Sequence, residues 1–372
     1  MLYLDNSATT PILPEVKDKM ITYLTEEYGN PSGKYYDLAI NAEAAVKDAR
    51  KQLSKLLNSD EKEVIFTSGA TESNNIVLKG VAQYYSSQGK HIITSKAEHS
   101  AVLEVCEYLE ESGFEVTYLD VDQFGRINSK DLKKAIRQDT ILVSIIWGNN
   151  ELGSLNDIKA IASVCHEKGV FLHTDATQVI GKIPINWQEI EGLSFLSCSA
   201  HKMHGPKGVG ALTIRKDRYG KLIPLTPLFH GGGQEEGIRS GTYSVHNIVG
   251  MGEAARIANN NLEKNKKHLK LLEDKLIEIL TNKFSENITL NSDSKNKIPG
   301  VINVRFIGLN NEVLLKKLSP LIAASTGSAC SSAKPSHVLQ AIGLNLKEVR
   351  ESIRFSFSPY TNIEDVNIFK EL

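Results

Sequence analysis

"SFLSCSAHKMHGPKGVG", residues 194–210, is the stretch on which the reading of this chain turns. An apolar run from Phe195 to Cys198 leads into Ser199-Ala200-His201-Lys202, and glycines follow. The run reads as a buried strand. A lysine at the exit of such a strand is either solvated or held in a site, and the rest of the sequence has to choose.

Working outward, short apolar and β-branched runs recur on both sides. Strands are expected at 63–68 ("EVIFTS"), 91–95, 115–120, 141–147 ("ILVSIIW"), 169–175 ("GVFLHTD"), 195–199 and 210–215. Helical patterns fall at 37–57, 71–86, 100–111, 129–137 and 156–167. This alternation predicts an α/β fold: a mostly parallel, seven-stranded sheet with helices on both faces. Ligands of such sheets gather at the carboxyl ends of strands. Beyond residue 250 the texture changes. A long amphipathic pattern runs from Gly252 to Leu280, then "GVINVRF" and "ESIRFSF" alternate like strands of a smaller α+β unit. A domain boundary is expected near 253.

A length of 372 residues suits two domains, and 41% apolar residues suffice for a sizeable core. Lys+Arg 43 against Asp+Glu 44 leaves a net charge of -1, which carries no footprint for direct nucleic-acid or anionic-membrane binding. No apolar run approaches the roughly 20 residues of a bilayer span. "MLYLDNSATT" has no signal-peptide pattern, so a cytoplasmic protein is expected. The four cysteines, Cys106, Cys165, Cys198 and Cys330, show no metal-ligand spacing, and no metal is expected.

Three strand ends carry chemistry. In "FTSGATESNN" (66–75) a helix starts near Ala70 or Thr71. Its first turn is either simply capped by a hydroxyl or left open to an anion. In "GVFLHTDATQVIGK" (169–182) Asp175 ends an apolar strand. It is either the first residue of a capping box with Gln178 or a carboxylate facing a cationic ring. Lys202 is the third; a desolvated lysine readily forms a Schiff base. A lysine, an acid and an anion site are the parts that pyridoxal phosphate needs. A nicotinamide glycine fingerprint and a Walker lysine are both missing. In "ASTGSACSSAKPSHVL" (324–339), Cys330 lies among small residues in what reads as a loop. It is either idle or an accessible thiolate nucleophile.

With these residues in place, the chain resembles the cysteine desulfurases of the NifS/IscS-like type, within the class V aminotransferases of fold type I. The resemblance runs through "YLDNSATTP" (3–11), "YGNPSG" (28–33), "FTSGATESNN", "AEHSAV" (97–102), "NNELG" (149–153), "DATQ", "HKMHGPKGVGAL" (201–212), "RSGT" (239–242), "GSAC" (327–330) and "IRFS" (353–356). So many matches in order are specific, although none is alone.

The resemblance implies a large cofactor-binding domain over 13–253, and a small domain formed by 1–12 with 254–372 that carries Cys330. It implies that Lys202 holds pyridoxal 5'-phosphate covalently, Asp175 pairs with its ring nitrogen, and Gln178 bonds its phenolic oxygen beside Asn150. His99 would stack on the ring and move protons. Ala70, Thr71, Ser199 and His201 would bind the phosphate, with Thr242 reaching the phosphate of a partner subunit in a homodimer. Asn30, Asn150 and Arg354 would hold the substrate, L-cysteine. Cys330 would take its sulfur as a persulfide, leaving L-alanine, and pass it to an acceptor protein. Iron–sulfur assembly, tRNA thiolation and DNA phosphorothioation are the destinations implied. In the last, a partner would contact the DNA. Cys330 would contact a cluster only in a complex. The stretch after Cys330 is slightly shorter than in many IscS-type members, and "FSFSPYTNIED" departs from their usual ending, so a docking iron–sulfur scaffold is not assumed. A selenocysteine lyase or another class V enzyme is the alternative, and a non-catalytic sulfur-relay partner a more distant one. Cys330 separates the first reading from the other enzymes, and a coloured cofactor bound to Lys202 separates it from the non-catalytic partner.

Overall fold

A computed structural model gives the fold and describes residues 1–327 and 335–371. Strand β1 (Leu2–Tyr3) and helices α1 (Pro14–Thr25) and α2 (Asp37–Leu57) come first. Alternation follows: β2 (Val64–Thr67), α3 (Ala70–Tyr84), β3 (His91–Ser95), α4 (Ser100–Glu111), β4 (Glu115–Leu119), α5 (Ser129–Ala135), β5 (Thr140–Ser144), α6 (Ile158–Lys168), β6 (Phe171–Asp175), β7 (Leu193–Ser199) and β8 (Gly210–Ile214). Helix α7 (Val245–Phe284) leads to β9 (Ile288–Leu290), β10 (Val301–Phe306), α8 (Asn311–Leu318), β11 (Ile322–Ala323), α9 (His337–Ala341), α10 (Leu346–Val349) and β12 (Ser352–Ser356).

The central sheet has seven strands in the order β2-β8-β7-β6-β5-β3-β4. Strand β8 runs antiparallel to β2 and β7, and every other pair in this sheet is parallel. The inner strands are buried on both faces and mostly apolar, their few polar residues such as His173, Ser144 and Ser197 bonded to one another. Ile65 and Phe195 turn to the core shared with α3 and α4, while Phe66 and Leu196 turn to the core shared with α2 and α7. The alternation of sides follows from the pleat. Helix α2 presents Ala42, Val46, Ala49 and Leu53 to the core it shares with α7 at helical spacing, and Asn58 ends it in the left-handed region.

Two expectations shift. The strand expected over 141–147 ends at Ser144, and the main chain of 145–147 instead bonds to the end of β6 and to Glu98. Helix α7 begins at Val245 and passes through 253 unbroken. Its first half packs on the large core as far as Ala258. Its second half packs, from Leu269 on, with Leu4, Val304, Ile353 and Phe355. The antiparallel sheet β12-β10-β9 forms this second core, and β1 pairs with β11 beside it. Among the described residues, no helix is long and apolar enough to cross a membrane.

Because β8 alone is reversed, the carboxyl ends of β2, β6 and β7 and the start of β8 share one edge. Thr67, Gly210 and Ser199 lie in one row there. Gly210 is needed: a Cβ on it would sit 2.6 Å from the Cα of Gly69.

Candidate functional site

At this edge lies a cavity of about 680 Å³. It is lined by Asp175 and Gln178 after β6, Ser199, His201 and Lys202 after β7, and Ala70 and Thr71 at the start of α3. His99 before α4, Asn150, and Arg354 from β12 complete the residues that the sequence nominates. Asn30 and Thr242 are not brought here. Both are exposed, and Thr242 lines a neighbouring pocket that shares Ser68 and Gly208 with this cavity. Cys330 falls outside the described residues.

Lys202 ends the short turn after β7. Its Nζ donates to the carbonyls of Ser7 and Ala8, each at 2.6 Å. That strap is fastened at both sides. Ser7 N donates to Ser356 Oγ at 2.8 Å, and Thr10 N donates to the His201 carbonyl at 2.9 Å. The "DNSATT" stretch thus carries the smaller unit's edge over the lysine. Its sequence alone gave no sign of this, since the bonds come from main-chain carbonyls.

Asp175 is buried, and Asn74 Nδ2 donates to its Oδ2 at 2.9 Å. Its Oδ1 accepts from Thr177 N at 3.0 Å. Gln178 does not reach back to complete a capping box; its Nε2 donates to the Ser7 carbonyl at 2.8 Å. Asp175 therefore keeps one face toward the cavity. The α3 terminus settles the other alternative. Gly69 is its N-cap and supplies no side-chain bond, so the first amides of a 15-residue helix are left without a hydroxyl cap. Such an end is suited to an anion. Ser199 and His201 stand beside it.

His99 caps α4, its Nδ1 accepting from Ala101 N at 3.0 Å. The proton of the neutral ring is therefore on Nε2. Burial lowers the pKa of His99 below the ordinary imidazole range, against the pull of Asp175 and with the help of Lys202. Burial and the Lys202 charge push His201 down to about 4. Both rings are neutral at pH 7. Arg354 is buried, donating to Asp5 at 2.6 Å and to the Asn150 carbonyl at 2.9 Å.

Several buried polar atoms of this lining have no partner among the described residues: Arg354 Nε, Asn150 Oδ1, Thr177 Oγ1 and Ser7 Oγ. Unmet groups of this kind are rare in folded chains and point to a polar ligand. A lysine, a carboxylate, an uncapped helix start and unmet donors and acceptors fit pyridoxal phosphate. Sequence reasoning missed four further residues. Asn74 positions Asp175, and Lys182 donates to Gln178 Oε1 at 3.3 Å. Glu98 is buried beneath His99, and Glu151 accepts from Ser336 Oγ at 2.5 Å. "ESNN", "GK", "AEH" and "NNELG" contain them; a buried carboxylate or amide next to a nominated residue was the signal available. Cys106, Cys165 and Cys198 are buried, and burial pushes each thiol up to about 12.

Comparison with known proteins places this geometry. The class-V aminotransferase family matches residues 2–369. The chain is 46% identical over 370 residues to the cysteine desulfurase IscS of Vibrio vulnificus strain YJ016, covering 98% of this chain and 90% of that one. Among solved structures, a NifS-like protein superposes with a TM-score of 0.92 at 37% identity, covering 100% of this chain and 97% of that one. SspA in complex with cysteine superposes with a TM-score of 0.84 at 36% identity, covering 97% and 100%.

Proposed function

The chain belongs to the class-V aminotransferase family, and we propose that within it the protein is a pyridoxal-phosphate-dependent cysteine desulfurase, converting L-cysteine to L-alanine and holding the sulfur as a persulfide on Cys330. The observation that carries the reading is the pairing of Lys202 and Asp175 at adjacent strand ends, facing the uncapped start of α3.

Lys202 would bind the cofactor covalently, Asp175 would hold its ring nitrogen, and Gln178 with Asn150 its phenolic oxygen. The α3 amides at Ala70 and Thr71, with Ser199 and His201, would hold the phosphate. When bound, the cofactor supplies an electron sink for charge developing at the substrate α-carbon. Arg354 would offer its Nε to the substrate carboxylate beside Asn150, while Asn30, outside this cavity, would have to be brought in to join them. Lys202 would take the substrate's α-proton. His99, neutral with its proton on Nε2, moves protons between the site and the leaving groups. Cys330 attacks as thiolate, so that cysteine and the thiol become alanine and a persulfide. The three described cysteines are buried and poor nucleophiles, which supports Cys330 in this role.

Thr242 is exposed and outside this cavity, which suits a residue serving the phosphate of a second copy in a homodimer. The division into 13–253 and 1–12 with 254–372 belongs to the same proposal, supported by the two cores that α7 joins. A cytoplasmic location, and delivery of sulfur to iron–sulfur assembly, tRNA thiolation or DNA phosphorothioation through a partner protein, complete it. The test is turnover of L-cysteine with reductant: equal yields of alanine and sulfide, both lost in Cys330→Ala. Full activity in that variant would favour a lyase instead.

A further inference from the structure

Lys182 stands behind the cavity and has no part in the chemistry so far. In "DATQVIGK" it follows Gln178 by one helical turn, on turns closed by Ile180 N to Ala176 O and Lys182 N to Val179 O. Residues four apart on such turns share a face. A lysine ammonium only donates. Its Nζ, 3.3 Å from Gln178 Oε1, therefore assigns the amide: oxygen toward Lys182, NH2 toward the Ser7 carbonyl at 2.8 Å. The same Ser7 carbonyl accepts Lys202 Nζ at 2.6 Å. One amide and one carbonyl thus join the two lysines, and both line a void of about 30 Å³.

Across that void Lys182 faces Lys202, His204 and Tyr360, and it feels the charge of Arg354. Lys202 also faces Asp175, His99 and His201. Burial first, then the charges of Lys202 and Arg354, push the Lys182 ammonium down to about 7. The Lys202 charge therefore disfavours the Lys182 proton.

We propose that Lys182 is a positioning residue that fixes the Gln178 amide so that its NH2, not its oxygen, is offered toward the cofactor's phenolic oxygen, and that places its amine behind the Lys202 linkage. The inference rests on the pyridoxal-phosphate reading. Both effects act in one direction. A donor on the phenolic oxygen draws away electron density that would hold the linkage's proton, and below about 7, where Lys182 carries its proton, the ammonium disfavours that proton directly.

The experiment is a pH titration of the visible absorption of the cofactor-loaded protein. Lys182→Met keeps the length and removes both donor and charge. Its protonation midpoint rises by roughly one unit, while Lys182→Arg stays near the parent. Lys182→Gln, which keeps a donor without the charge, carries the test if the methionine variant does not fold, with a smaller rise. A purely structural lysine would lower the melting temperature and leave the midpoint alone; a parental midpoint in the uncharged variants overturns the proposal. A parent chain that gains no visible absorption with pyridoxal phosphate overturns the reading beneath it as well, and so tells the two failures apart.

Discussion

Asn74, on the first turns of α3, donates its amide to Asp175 Oδ2 at 2.9 Å, so the helix that offers an anion site also orients the acid at the neighbouring strand end. A hydrogen bond to a charged group contributes about 1.5–3 kcal/mol. Asn74→Leu should therefore weaken pyridoxal-phosphate binding about ten-fold or more, read by titrating the apo chain with the cofactor. Unchanged affinity would mean that Asp175 needs no such support.

Glu98 gives the fold an alkaline weakness. It is fully buried, with Oε1 accepting from Ser95 Oγ at 2.7 Å and Ile146 N at 2.9 Å, and burial pushes it up to about 8. The folded chain then keeps a proton that the unfolded chain loses near 4.5. Its contribution is full below that value and fades as pH rises to about 8. Glu98→Gln, which mimics the protonated acid, should raise the melting temperature at pH 8.5 and change little at pH 5. Equal effects at both would contradict this.

His173 works in the opposite sense. It bridges Ser144 and Ser197 across three parallel strands, and burial pushes it down to about 4. The unfolded chain gains a proton near 6.5 that the folded chain refuses, so stability falls between 6.5 and about 4. Its slope is at most about 1.4 kcal/mol per pH unit. His173→Gln should flatten the acid limb of a melting-temperature profile; an unaltered limb would remove His173 from the account.

Glu151 ties down what flanks the Cys330 segment. It accepts from Ser336 Oγ at 2.5 Å, and a Cβ on Gly327 would come within 2.7 Å of its Oε2, at a φ of +99° that favours glycine. Burial raises its pKa above the usual carboxylate range. Gly327→Ala should lower sulfide release by about ten-fold or more through misplacement, with cofactor absorption retained. Loss of the cofactor instead would assign Gly327 to the cofactor pocket.

Much of this was legible in the chain. The short, mostly apolar strands alternating with helical patterns betrayed a sheet covered on both faces, and polar clusters after β2, β6 and β7 marked its functional edge. Lys202, Asp175 and Thr71 were nominated at that edge with a structural alternative open at each, and the ordered family motifs chose between them. Helix α2 matched its expected bounds because its apolar spacing is regular and Asn58 stops it. Helix α1 went unread because it buries only Val16 fully and its pattern is weak. Asn74 and Lys182 act through single side-chain bonds that depend on three-dimensional register. Asn30 and Thr242 sit outside the cavity of one chain. The strap from Asp5 to Thr10 works through carbonyls, which sequence patterns do not display.

The central claim is that sulfur leaves cysteine onto Cys330. The direct measurement is intact-mass and peptide mapping of the cofactor-loaded chain after one exposure to L-cysteine without reductant, followed by alkylation. The account predicts one added sulfur atom on the Cys330 peptide with one equivalent of alanine, and neither in Cys330→Ala. Alanine formed with no sulfur on Cys330, or formed equally by the variant, would contradict it.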